Sequence, residues 1–298
     1  MHIAKILETN QPCISFEFFP PKTEEASASL FAAIQELITL KPGYVSVTYG
    51  AGGGTRQLTH DLIIKIQKET SLTVVSHLTT VGHTRDDIAR ILDLYAESGI
   101  ENILALRGDP PAGPAAADFQ QPADGFAQAS DLVSFIKKNH PEMGVGVAGF
   151  PEGHPTTPNR LREIDYLKQK VDCGADYICT QLFFENRDFY DYVERCELAG
   201  INVPIIAGIM PVTTRKGFER MADLAAGARS PAKLQKALNR AEDDDAFRRV
   251  GLHWATEQVR DLIDSGVPGI HFYTLNRSRP TLEIHRALGV KTSESFAR

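Results

Sequence analysis

The chain alternates between short apolar segments and longer segments whose apolar residues are spaced three and four apart. The short segments are rich in β-branched residues and mostly lack the polar alternation of a half-exposed sheet. This pattern predicts parallel strands that are buried on both faces. The predicted strands are CISFEFF (13–19), YVSVTYG (44–50), TVVSHLT (73–79), NILALRG (102–108), GVGVAGF (144–150), YICTQLFF (177–184), VPIIAGI (203–209) and GIHFYTL (269–275).

The segments between these strands have the periodicity of amphipathic helices. Thr84 and Asp87 have the spacing of a capping box, and several of the helices end in a glycine. Strands that alternate with helices are compatible with a closed (β/α)8 barrel or with an open doubly wound sheet. We favour the (β/α)8 TIM barrel because the strands are evenly spaced and the first strand–helix junction, FEFFPPKTEE, has no GxGxxG motif.

Two segments interrupt the alternation of strands and helices. Residues 109–125 are rich in Pro, Ala and Gly, which predicts a long mobile loop after the fourth strand. Residues 226–245 are expected to hold an extra helix before the last barrel helix. Since no linker divides the chain, we expect a single domain over residues 1–298, a usual length for one barrel.

Composition narrows the classes of function. The residues are 42% hydrophobic and 23% charged, and the formal net charge of −6 gives no electrostatic basis for binding nucleic acid or an anionic membrane. No apolar run is long enough to span a bilayer, and the amino terminus is too polar for a signal peptide. The four cysteines form no CxxC pair and are expected to be reduced thiols. We therefore expect a cytoplasmic enzyme.

Polar residues collect near the carboxyl ends of the predicted strands, where (β/α)8 barrels place their active sites. Glu17 is the clearest case because it interrupts the apolar run SFEFF. An apolar environment favours the neutral form of a carboxyl, which suits a general acid, although a structural ion pair with a barrel arginine is the alternative. The other polar residues near strand ends are Thr48, Tyr49, His77, Thr79, Arg107, Asp109, Glu152, His154, Gln181, Tyr273, Asn276 and Arg277.

Nine motifs in series make the chain resemble the 5,10-methylenetetrahydrofolate reductase family. They are SFEFFPPKT, VSVTYGAGG, HLT, ALRGDPP, FPEGHP, LKQKVDCGAD, TQLFF, GIMPV and HFYTLNR, and the resemblance runs from Ile14 to Val290. It implies a homo-oligomeric (β/α)8 enzyme with noncovalent FAD. NADH or NADPH would reduce the flavin, and 5,10-methylenetetrahydrofolate would then be reduced to 5-methyltetrahydrofolate for methionine synthesis. The chain stops soon after the last barrel element, so no control by S-adenosylmethionine is expected.

The resemblance also implies roles for individual residues. Glu17 matches the general acid, Asp109 matches a carboxylate beside the flavin and the folate, and Gln181 matches the residue that hydrogen-bonds the pterin and the nicotinamide. The positions that match FAD contacts, besides Asp109, are Thr48, His77, Leu106, Arg107, Gly108, Ala129, Ala148, His154, Glu163 and Lys170. The positions that match folate contacts, besides Glu17 and Gln181, are Met221, Tyr273 and Arg277.

The chain departs from the family pattern at a few of these places. Glu163 stands where the family often has Asp, and Gln128 and Phe150 stand where Tyr is common. Gly217 and Met221 stand where some relatives have Gln and Phe. We expect these changes to affect ligand affinity and nucleotide choice. The glycine-rich GAGGG segment has no GK[ST] after it, so we interpret it as a flexible turn that lets the backbone approach a ligand.

Other functions of the same barrel are weaker alternatives. A metal hydrolase could use His77, His83 and His154, but no HxH pair ends the first strand, and we expect no metal. A Schiff-base aldolase needs a lysine at a strand end, and none of the predicted strands supplies one. A non-catalytic barrel, and a flavoenzyme with another pterin or a protein electron donor, stay open.

Overall fold

A closed barrel of parallel strands forms the centre of the protein. The structure is a computed structural model that describes residues 1–49, 53–110, 119–154, 156–225 and 228–296. The strands pair in chain order and the last pairs with the first, so the predicted barrel is confirmed and the open sheet is wrong. The strands are β1 (Cys13–Phe18), β2 (Tyr44–Val47), β3 (Val74–Thr79), β4 (Asn102–Leu106), β5 (Gly144–Gly149), β6 (Tyr177–Thr180), β7 (Ile205–Ile209) and β8 (Gly269–Tyr273).

Helices surround the barrel. They are α1 (Ile3–Thr9), α2 (Glu24–Ile38), α3 (Gly53–Thr70), α4 (Arg85–Glu97), α5 (Ala129–Asn139), α6 (Arg160–Asp172), α7 (Asn186–Leu198), α8 (Arg215–Leu224), α9 (Ala232–Asn239), α10 (Asp244–Asp264) and α11 (Arg279–Ala287). Helix α9 confirms the extra helix expected within residues 226–245. Among the described helices, none combines the length and the apolar character that crossing a membrane requires.

Local sequence signals set several helix ends. Thr84 and Asp87 form the predicted capping box at the start of α4. Gly99 has a φ of 76°, a left-handed conformation that glycine adopts without a Cβ penalty, and it follows α4. In the loop after β4, residues 111–118 lie outside the described residues, as do residues 50–52 of the GAGGG segment. The side chain of Gln121 links the later part of that loop to Gly82 and Thr80, so this part is anchored by hydrogen bonds.

Helix α1 lies at the amino-terminal end of the barrel and was not predicted. Ile3, Ile6 and Leu7 are fully or almost fully buried and pack with apolar side chains of the barrel interior. Asn102 at the start of β4 holds the helix: its Oδ1 accepts from the Ile3 backbone N–H at 2.7 Å, and its Nδ2 donates to the Met1 carbonyl at 3.0 Å. The i, i+3, i+4 spacing of the buried residues was a readable signal for this helix.

Alternation along each strand divides the side chains between the barrel interior and the helices. On β1, Ser15 and Glu17 point inward, where they meet His271 and other interior side chains, whereas Phe16 and Phe18 join the core between strands and helices. Glycines make room for large interior rings. A Cβ on Gly146 would overlap the ring of Tyr177, so the interior is filled by a tyrosine on one strand and a glycine on its neighbour.

We predict that Gly146→Ala destabilises the protein by about 1–3 kcal/mol, because the added methyl group overpacks the barrel interior. The double variant Gly146→Ala, Tyr177→Leu removes the ring that the methyl group meets and should lose less stability than the two single changes summed. Thermal and urea unfolding of the four proteins measure this coupling. Strict additivity of the two single changes would contradict the packing described for Gly146 and Tyr177.

Candidate active site

The side chain of Glu17 lies in the barrel interior, near the C-terminal ends of the strands. Glu17 lies on β1 between Ser46 of β2 and Tyr273 of β8, and 20% of its side chain is exposed. Its Oε2 is 3.6 Å from Nε2 of His77 and 3.9 Å from Nε2 of His271. Among the described residues, the ion-pair partners of Glu17 are these histidines and not an arginine. The described residues therefore do not form the structural ion pair between Glu17 and a barrel arginine that was the alternative.

His77 presents a neutral imidazole to this carboxyl. Burial lowers the pKa of His77 to about 4; the charge of Glu17 opposes this shift, and His271 adds to it. The Nε2 atom of His77 is buried and has no hydrogen-bond partner among the described residues. A buried polar atom without a partner costs free energy, and a hydrogen bond with a bound ligand would offset that cost.

His271 is a second histidine beside Glu17, and the sequence reasoning missed it. Its Nδ1 is 2.7 Å from the Ser15 hydroxyl and its Nε2 is 3.3 Å from the Ser46 hydroxyl. The ring also stacks on Tyr44, with 6.1 Å between ring centroids and an interplanar angle of 12°. These contacts fix its orientation. The signal was available: His271 and Tyr273 alternate with apolar residues on β8 and therefore share the interior face.

The ends of β1 and β8 are tied together above Glu17. The Thr274 hydroxyl donates to the Glu17 carbonyl at 2.6 Å. The Asn276 amide makes two bonds with the Phe19 backbone: its Oδ1 accepts from the N–H at 3.0 Å, and its Nδ2 donates to the carbonyl at 2.9 Å. These bonds fix the loop that follows Glu17 to the loop that follows Tyr273.

A group of charged residues follows β4 and β5. Arg107 Nη2 and Asp109 Oδ1 are 3.6 Å apart, and the Asp109 side chain is 91% exposed. Burial lowers the pKa of His154, the positive charges of Arg107 and Lys170 lower it further, and Asp109 raises it. The cationic and carboxylate groups therefore lie close enough to His154 to act on it electrostatically.

Lys170 and Glu163 extend this group along α6. Lys170 Nζ donates to the Ala148 carbonyl at 2.7 Å, and burial lowers the pKa of Lys170 to about 8 against the opposing charge of Glu163. Glu163 Oε2 accepts from the His154 backbone N–H at 2.9 Å, whereas Oε1 is buried without a described partner. Burial raises the pKa of Glu163. Glu163, which stands where the family often has Asp, therefore supports the loop that carries His154.

The remaining predicted residues lie in different surroundings. Gln181 follows β6, and its Oε1 accepts from the Leu182 N–H at 2.9 Å; the Tyr273 hydroxyl donates to the Thr180 carbonyl at 2.6 Å. Met221 on α8 is only 3% exposed and packs in an apolar cluster, which leaves little of its surface for a ligand. Thr48 directly follows β2, and Leu106 is the last residue of β4. Gly108 lies in the loop after β4, and Ala129 is the first residue of α5.

A cavity of about 540 Å³ opens beside the end of β8. Exposed Arg277 lines it together with Asn276, and Arg248 and Thr214 line it from α10 and from the start of α8. The barrel topology places Glu17, Asp109 and Gln181 at this same end of the molecule, on or after β1, β4 and β6. The cavity is also lined by α2 and by the start of α11, and Glu17, Asp109 and Gln181 are not among its lining residues.

The residues present fit an anionic dinucleotide such as FAD. Arg107 and Lys170 supply positive charge, and the unpartnered Nε2 of His77 and hydroxyl of Thr79 offer polar atoms. Gly108 has a φ of 77°, and a Cβ there would lie 2.9 Å from the Thr79 Cβ, so only glycine lets the chain pass so closely. Within the described ranges, no group of three or more His, Cys, Asp and Glu is placed to hold a metal ion.

Comparisons with known proteins identify the family of the chain. The methylenetetrahydrofolate reductase family matches residues 2–289. A 5,10-methylenetetrahydrofolate reductase of Escherichia coli (strain K12) is 39% identical over 279 residues, which cover 93% of this chain and 91% of that protein. A methylenetetrahydrofolate reductase (NADH) 1 of Arabidopsis thaliana is 38% identical over 307 residues and matches 99% of this chain. The chain spans about half the length of that plant relative, 51%.

Solved structures share the fold at low sequence identity. A Clostridium thermocellum protein, described as binding two copies of 5-methyl-5,6,7,8-tetrahydrofolic acid, superimposes with a TM-score of 0.64 at 17% identity, over 97% of this chain and 99% of that one. This likeness supports the barrel fold. The match over residues 2–289 and the identity to the bacterial enzyme go further, and they show that the chain belongs to the methylenetetrahydrofolate reductase family.

Proposed function

We propose that this protein reduces 5,10-methylenetetrahydrofolate to 5-methyltetrahydrofolate, with FAD as its bound cofactor and NADH or NADPH as the source of hydride. The observation that carries the proposal is the interior position of Glu17 between His77 and His271, at the end of the barrel that also carries Asp109 and Gln181. Relatives named as methylenetetrahydrofolate reductases, one of them with NADH, support the substrate and the electron source.

Glu17 would supply the proton that the acid step of this reaction requires. The substrate contains a closed five-membered ring, and the ring must open to an iminium ion before its methylene carbon can accept hydride. Opening requires a proton on the departing nitrogen, and a carboxyl group within reach of that nitrogen can deliver one. The Nε2 atom of His77 lies 3.6 Å from this carboxyl, and burial lowers the pKa of His77 to about 4.

Asp109 and Gln181 would orient and stabilise the substrate. A carboxylate near the iminium ion stabilises the positive charge as it develops. The Asp109 side chain is 91% exposed and could approach the iminium ion. Its ion pair with Arg107, at 3.6 Å, is also exposed to solvent. Gln181 would hydrogen-bond the pterin, and Arg277 would meet the carboxylates of the glutamate tail.

FAD would lie against the residues after β2 to β5. The contacts would come from His77, Arg107, Gly108, Ala148, His154 and Lys170, and Thr48, Leu106, Ala129 and Glu163 would complete them. When bound, FAD accepts hydride from the reduced nicotinamide and supplies it to the folate. Homo-oligomer formation, a cytoplasmic location and the supply of methyl groups for methionine synthesis stay predictions.

We predict that Glu17→Gln retains FAD and is still reduced by NADH, but reduces the folate about 10²–10⁴-fold more slowly, the usual range for a lost general acid. Anaerobic stopped-flow absorbance follows each half-reaction separately. Glu142→Gln is the matched control, because that carboxylate is exposed and lies just before β5 at the opposite end of the barrel. Normal folate reduction by the Glu17 variant would contradict the assigned role.

We predict that the His77 imidazole is neutral throughout the neutral pH range and takes up a proton only near pH 4. Its pKa in the unfolded chain is the ordinary 6.5, so its contribution to folding stability is present above pH 6.5 and is lost as the pH falls through about 4. Nitrogen-15 NMR of labelled histidine measures the titration, with the resonance assigned by its loss in His77→Gln. A midpoint near 6.5 in the folded protein would contradict burial as the dominant cause.

A further inference from the structure

We propose that His83 is a positioning residue that holds the end of β2 in place for FAD through a hydrogen bond to Tyr49. The inference rests on the proposed function and adds a residue that acts through its neighbours. His83 lies in the turn between β3 and α4 and is only 1% exposed. Its Nε2 is 2.9 Å from the Tyr49 hydroxyl, and the two rings pack with 5.5 Å between their centroids.

The hydrogen bonds of the His83 ring have a defined direction. Its Nδ1 is 2.8 Å from the Val81 carbonyl oxygen, and a carbonyl oxygen only accepts, so Nδ1 carries a proton. In a neutral imidazole the other nitrogen then has a lone pair, which accepts from the Tyr49 hydroxyl. The bonds therefore run in one direction, from Tyr49 to His83 and from His83 to the backbone of its own turn.

The turn that carries His83 is itself fixed to the end of β4. The Arg107 carbonyl accepts from the backbone N–H groups of Thr80 at 3.1 Å and Val81 at 3.0 Å, and from the Thr80 hydroxyl at 3.0 Å. On the other side of His83, Thr84 caps α4. Because the chain is held on both sides of His83, its imidazole has a fixed position.

Tyr49 transfers this position to Thr48. Ser46 of β2 faces the barrel interior, whereas Val47 joins the core between strands and helices. The Thr48 N–H continues the strand ladder with a 2.9 Å bond to the Phe18 carbonyl, so the alternation continues past the end of β2. Thr48 therefore has the inward side, and the half-buried Tyr49 ring packs against the core on the outward side.

One turn thus connects three adjacent strand ends on the side of the barrel where FAD is proposed to bind. His83 holds the end of β2 through Tyr49, its own turn follows β3, and the Arg107 carbonyl follows β4. Thr48 and Arg107 are both among the positions proposed to contact FAD. Loss of the bond between Tyr49 and His83 would release the end of β2 from the other two. FAD should then bind more weakly, because its contacts would be less preorganised.

The test compares His83→Phe with His83→Gln in the whole chain. Phenylalanine keeps a ring against Tyr49 and removes both hydrogen bonds, whereas the amide oxygen of glutamine can still accept from the Tyr49 hydroxyl. Titration of the flavin-free protein with FAD, followed by flavin fluorescence, measures the Kd. It should rise about 2–10-fold in His83→Phe, the change that one net hydrogen bond produces, and stay within about twofold of the wild-type value in His83→Gln.

Two further variants separate positioning from a general loss of stability. Tyr49→Phe removes the donor of the same bond, and the double variant with His83→Phe should bind FAD no more weakly than either single variant. His140→Phe is the matched control. His140 is also largely buried, with an Asp93 oxygen 3.3 Å from its Nε2, but it lies just before β5 at the opposite end of the barrel. Its loss can lower the melting temperature but should leave the Kd for FAD unchanged.

Nitrogen-15 NMR of labelled histidine tests the bond without FAD. The His83 ring should carry its proton on Nδ1 and none on Nε2, with the resonances assigned by their loss in His83→Gln. Tyr49→Phe should shift the Nε2 resonance, because the donor to that nitrogen is gone. A proton on Nε2 would overturn the proposal.

An unchanged Kd in His83→Phe, or equal weakening by phenylalanine and glutamine, would overturn the positioning role and leave the proposed function standing. Additive losses in the double variant, or equal weakening in the His140 control, would do the same. A wild-type protein that binds no FAD would overturn the proposed function and, with it, the role of His83.

Discussion

The position of one carboxyl group inside an apolar barrel determines how the rest of the site is organised. Glu17 belongs to a strand whose inward side chains are Cys13, Ser15 and Glu17, and period-two alternation leaves it no outward orientation. A carboxylate so placed needs partners or a proton. The structure surrounds it with His77, which burial keeps neutral, and with His271, which two serine hydroxyls hold in place. These contacts define the immediate surroundings of the Glu17 carboxyl group.

Packing lower in the barrel gives this arrangement its rigidity. The interior near the amino-terminal end is filled by Tyr44, Tyr177 and apolar side chains, and helix α1 closes it from below. Tyr44 stacks on His271, so the filled layer directly supports the layer that carries Glu17. At the other end, the bonds of Thr274 and Asn276 to the β1 loop join the two strand ends above Glu17. The carboxyl thus lies between a packed layer and a hydrogen-bonded rim.

Much of this could be predicted from the sequence because the signals are local. Near-continuous apolar strands, helix periodicity and the break at Glu17 in SFEFF specify the barrel and its inward carboxyl. The capping box at Thr84 is equally local. Contacts between distant residues could not be predicted in this way. The bonds between Asn276 and Phe19 join residues 257 positions apart, and the burial of Met221 depends on how α8 packs against α9 and α10. The alternation on β8 indicated that His271 faces the interior, but its contacts with Ser15 and Ser46 on other strands are not local.

The proposed role of Glu17 as the proton donor to the nitrogen that leaves the methylene bridge depends on one distance. A crystal structure of the FAD-loaded protein with 5-methyltetrahydrofolate tests it most directly. We predict that a Glu17 carboxyl oxygen lies within about 2.6–3.2 Å of the nitrogen bonded to the aminobenzoyl ring, or contacts it through one water molecule. A folate bound with that nitrogen turned away from Glu17, toward another acidic side chain, would contradict it.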